Sequence, residues 1–199
     1  MRVDVAAASR LAAIVLVEGR SDQAALEALA ARRGLTTGSD VAIIAMGGAT
    51  NIGHFLAALR PLVPRLRVTG LCDAAEEDHV RRALTRAGLC PRRPGAALET
   101  AGWYRCVADL EDELIRALGP AAVEQVISAQ GELRPFRTFQ KQPAHHGVST
   151  ELQLHRFMGT RSGRKSQYAR ALVEALDLSS VPRPLDAVLA AALADQPGG

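Results

Sequence analysis

The sequence predicts an α/β fold: a mostly parallel sheet flanked by helices, with a C-terminal helical extension. Three observations lead there. Short apolar runs rich in β-branched residues recur at 14–17, 41–46 and 67–72, each closed by a turn or acidic residue and followed by helical periodicity. Strand and helix alternate in that order, which calls for crossover connections and parallel pairing. From Glu124 onward the periodicity is helical, with no further convincing strand.

The first element sets the pattern. Ile14, Val15, Leu16 and Val17 read as a strand buried on both faces, and Gly19 permits a sharp turn after it. Ser21 or Asp22 is positioned to cap the next helix, which begins with Ala24, Ala25, Leu26 and Leu29 at helical spacing. Glu18 thus stands at the carboxyl end of a central strand, where open α/β sheets build their sites. Asp22, about one helical turn later, can point back to the same spot. A carboxylate in that place needs a cation.

The helix ends at Arg32, Arg33 and Gly34, the last in the left-handed conformation. The second strand, 41–46, stops at Gly47 and Gly48, which read as a plain turn rather than a phosphate cradle. Thr50 or Asn51 then caps a helix carrying Ile52, Phe55, Leu56 and Leu59, closed by Pro61 and Pro64. The third strand, 67–72, ends on Asp73. Glu76, Glu77 and Asp78 open the following helix, where acids complement the macrodipole.

Strands one and three therefore bring Glu18 and Asp73 to one edge of the sheet. Two carboxylates held together are costly unless a cation neutralises them. Hard oxygen donors, without a His or Cys cluster, point to Mg²⁺ or Mn²⁺ rather than zinc.

A loop at 91–97 leads to a fourth strand at 103–107, in which Trp103 and Tyr104 belong to the core. Asp109, Glu111, Asp112 and Glu113 then open a helix running to Gly119 and Pro120. Capping accounts for one or two of these acids. Either Glu111 or Asp109 is the carboxylate turned to the site. His145 and His146 read as exposed loop residues, since neighbouring side chains diverge. An amphipathic helix at 151–158 precedes a basic loop with Arg161, Ser162 and Arg164, and Lys165 starts the next helix. Cations at a helix start oppose the dipole, so an anion is expected beside them. A last helix spans 185–193, and the tail beyond it frays.

Composition narrows the class. Hydrophobic residues make up 48% of 199 and aromatic ones 4%, which implies an Ala/Leu/Val core. The net charge is only +3, but the 24 basic residues include two lysines, Lys141 and Lys165, so the surface is rich in guanidinium groups suited to phosphate. Cys72, Cys90 and Cys106 are odd in number and lack metal-ligand spacing, which favours reduced thiols. The first residues lack a signal-peptide pattern and no apolar run can span a bilayer, so a cytoplasmic protein is expected.

Leu16-Val17-Glu18-Gly19 with Asp22, followed by Gly70-Leu71-Cys72-Asp73, resembles the TOPRIM domain, a Rossmann-like fold of topoisomerases, primases and some nucleases. Asp109-Leu110-Glu111 and Lys165-Ser166-Gln167-Tyr168-Ala169 extend the likeness to the C-terminal nuclease region of OLD (overcoming lysogenization defect) family endonucleases, over residues 12–189. The resemblance implies a TOPRIM-like domain at 1–120 and a helical extension at 121–199 that contributes Lys165. It implies one or two Mg²⁺ or Mn²⁺ ions held by Glu18, Asp22, Asp73, Glu76 and Glu111. Glu18 and Lys165 are the expected catalytic residues, and Arg161 and Arg164 the expected nucleic-acid contacts.

Two departures stand out. The usual Asp-x-Asp pair reads Asp73-Ala74-Ala75 here, so Glu76 or Glu77 must substitute, or one ion is held more weakly. No phosphate-binding Gly-x-x-x-x-Gly-Lys-Ser/Thr loop occurs, although OLD nucleases usually carry an ATPase ahead of this region. The expected activity is metal-dependent endonuclease cleavage or nicking of DNA, with RNA also a candidate substrate and a separately encoded ATPase a candidate partner. The alternative is a non-catalytic TOPRIM module that binds nucleic acid or an ATPase.

Overall fold

A computed structural model describes residues 5–35, 37–38, 40–63, 65–90, 97–161 and 163–194. A short helix, α1 (Val5–Ala8), precedes β1 (Ala13–Val17), α2 (Arg20–Arg32), β2 (Val41–Ala45), α3 (Ile52–Leu59), β3 (Arg67–Cys72), α4 (Glu77–Ala87) and β4 (Trp103–Arg105). Six helices follow: α5 (Leu110–Leu118), α6 (Pro120–Ala129), α7 (Leu133–Gln140), α8 (Thr150–Met158), α9 (Arg164–Ala175) and α10 (Arg183–Leu193).

The four strands form one sheet in the order β2-β1-β3-β4, and every pairing is parallel. β1 and β3 are neighbours, in a register that places Leu16 beside Gly70. Strand β1 is fully buried because both faces are covered. Ala13, Val15 and Val17 join one apolar cluster, Ile14 and Leu16 the other. The first cluster lies under α2, α5, α9 and α10; the second lies under α3 and α4 and includes Trp103. Each large aliphatic side chain so enclosed contributes roughly 1.5–3 kcal/mol.

Close approach sets the β1–β3–β4 seam. A Cβ on Gly70 would lie 2.6 Å from the Trp103 ring and 2.7 Å from the Leu16 carbonyl oxygen. Only a residue without a side chain lets Trp103, itself fully buried, lie against that strand.

Several local expectations are corrected. Helix α2 starts two or three residues earlier than a Ser21 or Asp22 cap would allow. Its N-cap is Gly19, whose N–H donates to Asp22 Oδ2 at 2.7 Å. Asn51 precedes α3 but turns its side-chain amide to the carbonyls of Met46 and Gly47 instead of capping. Strand β4 ends at Arg105, because the Val107 N–H donates to Glu113 Oε1 at 2.7 Å instead of continuing the ladder. His145 is buried and stacked on Phe139 at 3.8 Å between ring centroids, so it is not a solvent-exposed loop residue. Pro64, the loop at 91–96, Ser162 and the tail from 195 lie outside the described residues. Among the described residues no helix is long and apolar enough to cross a membrane.

Candidate metal centre

Glu18 leaves β1 with its backbone fixed from outside its own segment. Its carbonyl oxygen accepts N–H groups from Gly47 and Gly48, both at 3.0 Å. Gly48 adopts φ +125°, which a side chain would strain. These two donors are spent on Glu18, so the turn is a backbone clamp and not an anion cradle. Asp22 points back from the first turn of α2 through its bond to the Gly19 N–H. Asp73 follows the end of β3, next to β1.

The acids at the head of α5 divide by partner. Asp109 is the N-cap: Oδ1 accepts the Asp112 N–H at 2.9 Å, while Oδ2 faces His155 Nε2 at 2.6 Å. Glu113 accepts the Val107 N–H and pairs with Arg116 at 2.6 Å. Glu111 is 3% exposed and plays neither part. Its Oε2 lies 3.4 Å from Lys165 Nζ, and its Oε1 has no hydrogen-bond partner among the described residues.

Electrostatics join these segments into one site. Asp73 is pushed up to about 7, first by burial and then by the charges of Asp22, Glu18, Asp109 and Glu111. Asp22 is also pushed up to about 7, by burial above all; the Gly19 N–H opposes this, while Glu111 and Glu18 add to it. Glu18 is raised by burial and then by Glu76 and Glu111. Lys165 favours the ionised forms of Glu18 and Asp22 without cancelling the rise. Asp109 behaves in the opposite way. Burial would raise it, but the hydrogen bonds from His155 and Asp112 outweigh burial and lower it. His155 is correspondingly raised, chiefly by its bond to Asp109.

The candidate acids thus fall into place as follows. Glu18, Asp22, Asp73 and Glu111 act on one another, and Lys165 reaches the same group from α9. Of the two acids able to stand in at Ala75, Glu77 pairs with Arg81 at 2.5 Å and Arg105 at 3.3 Å. Glu76 is half-buried and acts on Glu18.

Arg164 requires a correction. It is 5% exposed, bonded to Glu132 Oε1 at 2.7 Å and to the Phe157 carbonyl and Thr160 hydroxyl, with its guanidinium 4.4 Å from the centroid of the Phe157 ring. It is therefore a buried strut, and a nucleic-acid backbone cannot reach it. Arg161 remains exposed, 3.8 Å from Glu132. The anion expected at the start of α9 is supplied by the protein itself, by Glu132 for Arg164 and Glu111 for Lys165.

His155 was not foreseen from the sequence. Asp109, Glu111 and His155 offer ligand atoms that all lie within 4.8 Å of one another. His155 is separated from Asp109 by 46 positions and sits in an ordinary amphipathic helix, so no local signal marks it.

The residues fit a divalent cation. Buried oxygen donors repel one another, and one oxygen of a buried carboxylate is left unpartnered. Hard donors of this kind suit Mg²⁺ or Mn²⁺.

Residues 12–73 match the model of the overcoming lysogenization defect protein-like TOPRIM domain. Over those residues the chain is similar to an OLD-like TOPRIM domain. Its fold is similar to that of the C-terminal region of the Xanthomonas campestris pv. campestris OLD protein, at TM-score 0.66 and 18% identity, covering 92% of each chain. A second structure of that region, phased with mercury, matches at TM-score 0.63 and 20% identity, over 92% of this chain and 94% of the other. The C-terminal region of the Burkholderia pseudomallei OLD protein matches at TM-score 0.61 and 18% identity, over 90% of this chain and 95% of the other. No curated protein matches the chain. The TOPRIM match ends at Asp73, so the α5, α8 and α9 side chains of the site rest on the structure and not on that model.

Proposed function

We propose that this OLD-like TOPRIM protein is a divalent-metal-dependent nuclease that cleaves phosphodiester bonds in DNA. The observation that supports it best is the set of crowded carboxylates, Glu18, Asp22 and Asp73, raised by burial and mutual repulsion beside the half-satisfied Glu111. Glu18, Asp22, Asp73, Glu76 and Glu111 would hold one or two Mg²⁺ or Mn²⁺ ions. When bound, such an ion polarises the phosphoryl oxygen and lowers the pKa of water.

The chain's own residues do the rest. Lys165, 45% exposed and tethered to Glu111, places a point charge where negative charge gathers on the scissile phosphate. Glu18 takes the proton from the attacking water. Arg161 holds the backbone without reading sequence.

The test is Mn²⁺-dependent nicking of supercoiled plasmid by the purified chain. Glu18→Ala should abolish it. Lys165→Ala should slow it by about 10²-fold while Mn²⁺ affinity changes little. Nicking that persists in Glu18→Ala overturns the assignment.

The absence of an acid at Ala75 favours a second reading, a module that binds nucleic acid without cutting it. That module would bind DNA equally well in chelator and leave plasmid intact at every Mn²⁺ concentration.

A further inference from the structure

We propose that His155, together with Asp109 and Glu111, forms a nitrogen-containing metal position that takes a first-row transition ion in preference to Mg²⁺. This rests on the metal-dependent reading above and adds a ligand from outside the acidic set. The position joins two separate elements, since the two acids come from the head of α5 and the imidazole from the middle of α8.

Glu111 has a capacity that the fold does not use, and Asp109 and His155 share one hydrogen bond that an ion can replace. Glu111 is almost wholly enclosed, yet only its Oε2 meets a cation and its Oε1 meets nothing. A buried carboxylate oxygen without a donor is expensive, and an ion is the partner that a tight acidic pocket admits. Asp109 spends Oδ1 on the helix cap and keeps Oδ2 for His155. The His155 side chain is 30% exposed, so solvent and ions have access to it.

The three ligand atoms converge on one point, with Nε2 and Oδ2 at hydrogen-bond distance. Nε2 and Oδ2 are 2.6 Å apart, and all three ligand atoms fall within 4.8 Å. Two ligands about 2.1 Å from an octahedral ion cannot be much more than about 4.2 Å apart, so a small contraction closes the set. In the metal-free chain Nε2 and Asp109 Oδ2 share a proton; an ion displaces that proton to solvent, and the ring then keeps its proton on Nδ1 and turns the Nε2 lone pair to the ion.

Ligand chemistry then sets the preference. Mg²⁺ favours oxygen, whereas imidazole nitrogen binds transition ions more strongly. The Glu18, Asp22 and Asp73 group offers oxygen alone. The Asp109, Glu111 and His155 group offers two oxygens and a nitrogen. The two positions therefore differ in the ion they prefer.

Pulsed electron paramagnetic resonance on the full chain loaded with Mn²⁺ alone tests this directly. The wild-type protein should show ¹⁴N modulation from a coordinated imidazole. His155→Gln retains a side chain able to bond Asp109; it should lose the modulation, and its Mn²⁺ affinity should fall by about tenfold while Mg²⁺ affinity falls less. Bound Mn²⁺ without ¹⁴N modulation in the wild type overturns the proposal, as does modulation that survives in His155→Gln. Mn²⁺ that does not bind at all overturns the metal-dependent nuclease with it, so the two failures are distinguishable.

Discussion

The acids at the ends of the strands and the acids of the helical half obey different rules. In the helical half Glu132, Glu113 and Asp109 have each been answered. Glu132 meets Arg164 and the Tyr168 hydroxyl, Glu113 meets Arg116 and a backbone N–H, and Asp109 meets His155. Glu132 and Asp109 are held below the usual carboxylate range, since those partners outweigh burial. At the strand ends Glu18, Asp22 and Asp73 are raised, because burial and one another are their chief surroundings. Answered acids such as Glu132 and Glu113 hold helices together, unanswered ones are kept for a ligand, and Asp109 can exchange its His155 proton for one. Glu111 stands on the border, with one oxygen of each kind.

The sharpest way to break that distinction is Asp73→Asn. Cleavage should fall by on the order of 10³-fold, while the metal-free fold becomes more stable at pH 8 because a repelled charge is gone. A plasmid assay and a thermal melt on the same sample check both halves. A melt shifted downward would place Asp73 among the answered acids.

Arg164→Ala is the mirror experiment. Removing a buried guanidinium leaves Glu132 uncompensated and a gap beside Phe157, so the chain should lose about 3 kcal/mol in denaturant unfolding. DNA affinity should stay near the wild-type value under conditions where the variant is folded. A large loss of affinity in folded protein would return Arg164 to the binding surface.

The pH dependence of the metal-free chain is a smaller effect. Asp22 and Asp73 keep their protons in the folded state up to about pH 7, well above the ordinary value of 3.8. The folded state therefore holds protons that the unfolded chain has released. Their contribution to stability is fully present below about pH 4 and is lost as pH rises through about 7. Melts in chelator should drop by about 2 kcal/mol between pH 5 and pH 8 after allowance for solvent screening, and Mn²⁺ should reverse the drop at pH 8. A flat profile would mean that the strand-end acids are compensated after all.

Arg161→Ala should have the smallest effect, a few-fold loss of DNA affinity with the salt slope reduced by about one. Binding measured across a salt series reads it. No change in slope would remove Arg161 from the interface.

Glu18 and Asp73 were legible because each follows an apolar run that can only be a buried strand, and Asp22 because it lies one helical turn beyond Glu18. Val17 then Glu18, and Cys72 then Asp73, fix the positions, and parallel order fixes the shared edge. Glu111 was half legible: the sequence narrowed the choice to it or Asp109, and the fold separates them because Asp109 caps the helix and bonds His155 while Glu111 keeps one oxygen unpartnered. Arg164 was misread because a basic loop looks the same in sequence whether a side chain turns out to solvent or in to Glu132. That distinction depends on where α7 and α9 dock, which helical periodicity does not encode. His155 was invisible for the same reason, as was the burial of His145 on Phe139.

The clamp that Gly47 and Gly48 place on the carbonyl of Glu18 means that the position of a charged ligand is decided by two residues with no charge and no side chain. A systematic substitution map should therefore show intolerance at Gly48, a site that no search for acids, bases or cations would select. A branched residue there would tilt the end of the first strand and carry its carboxylate with it, disabling the protein without touching any chemical group.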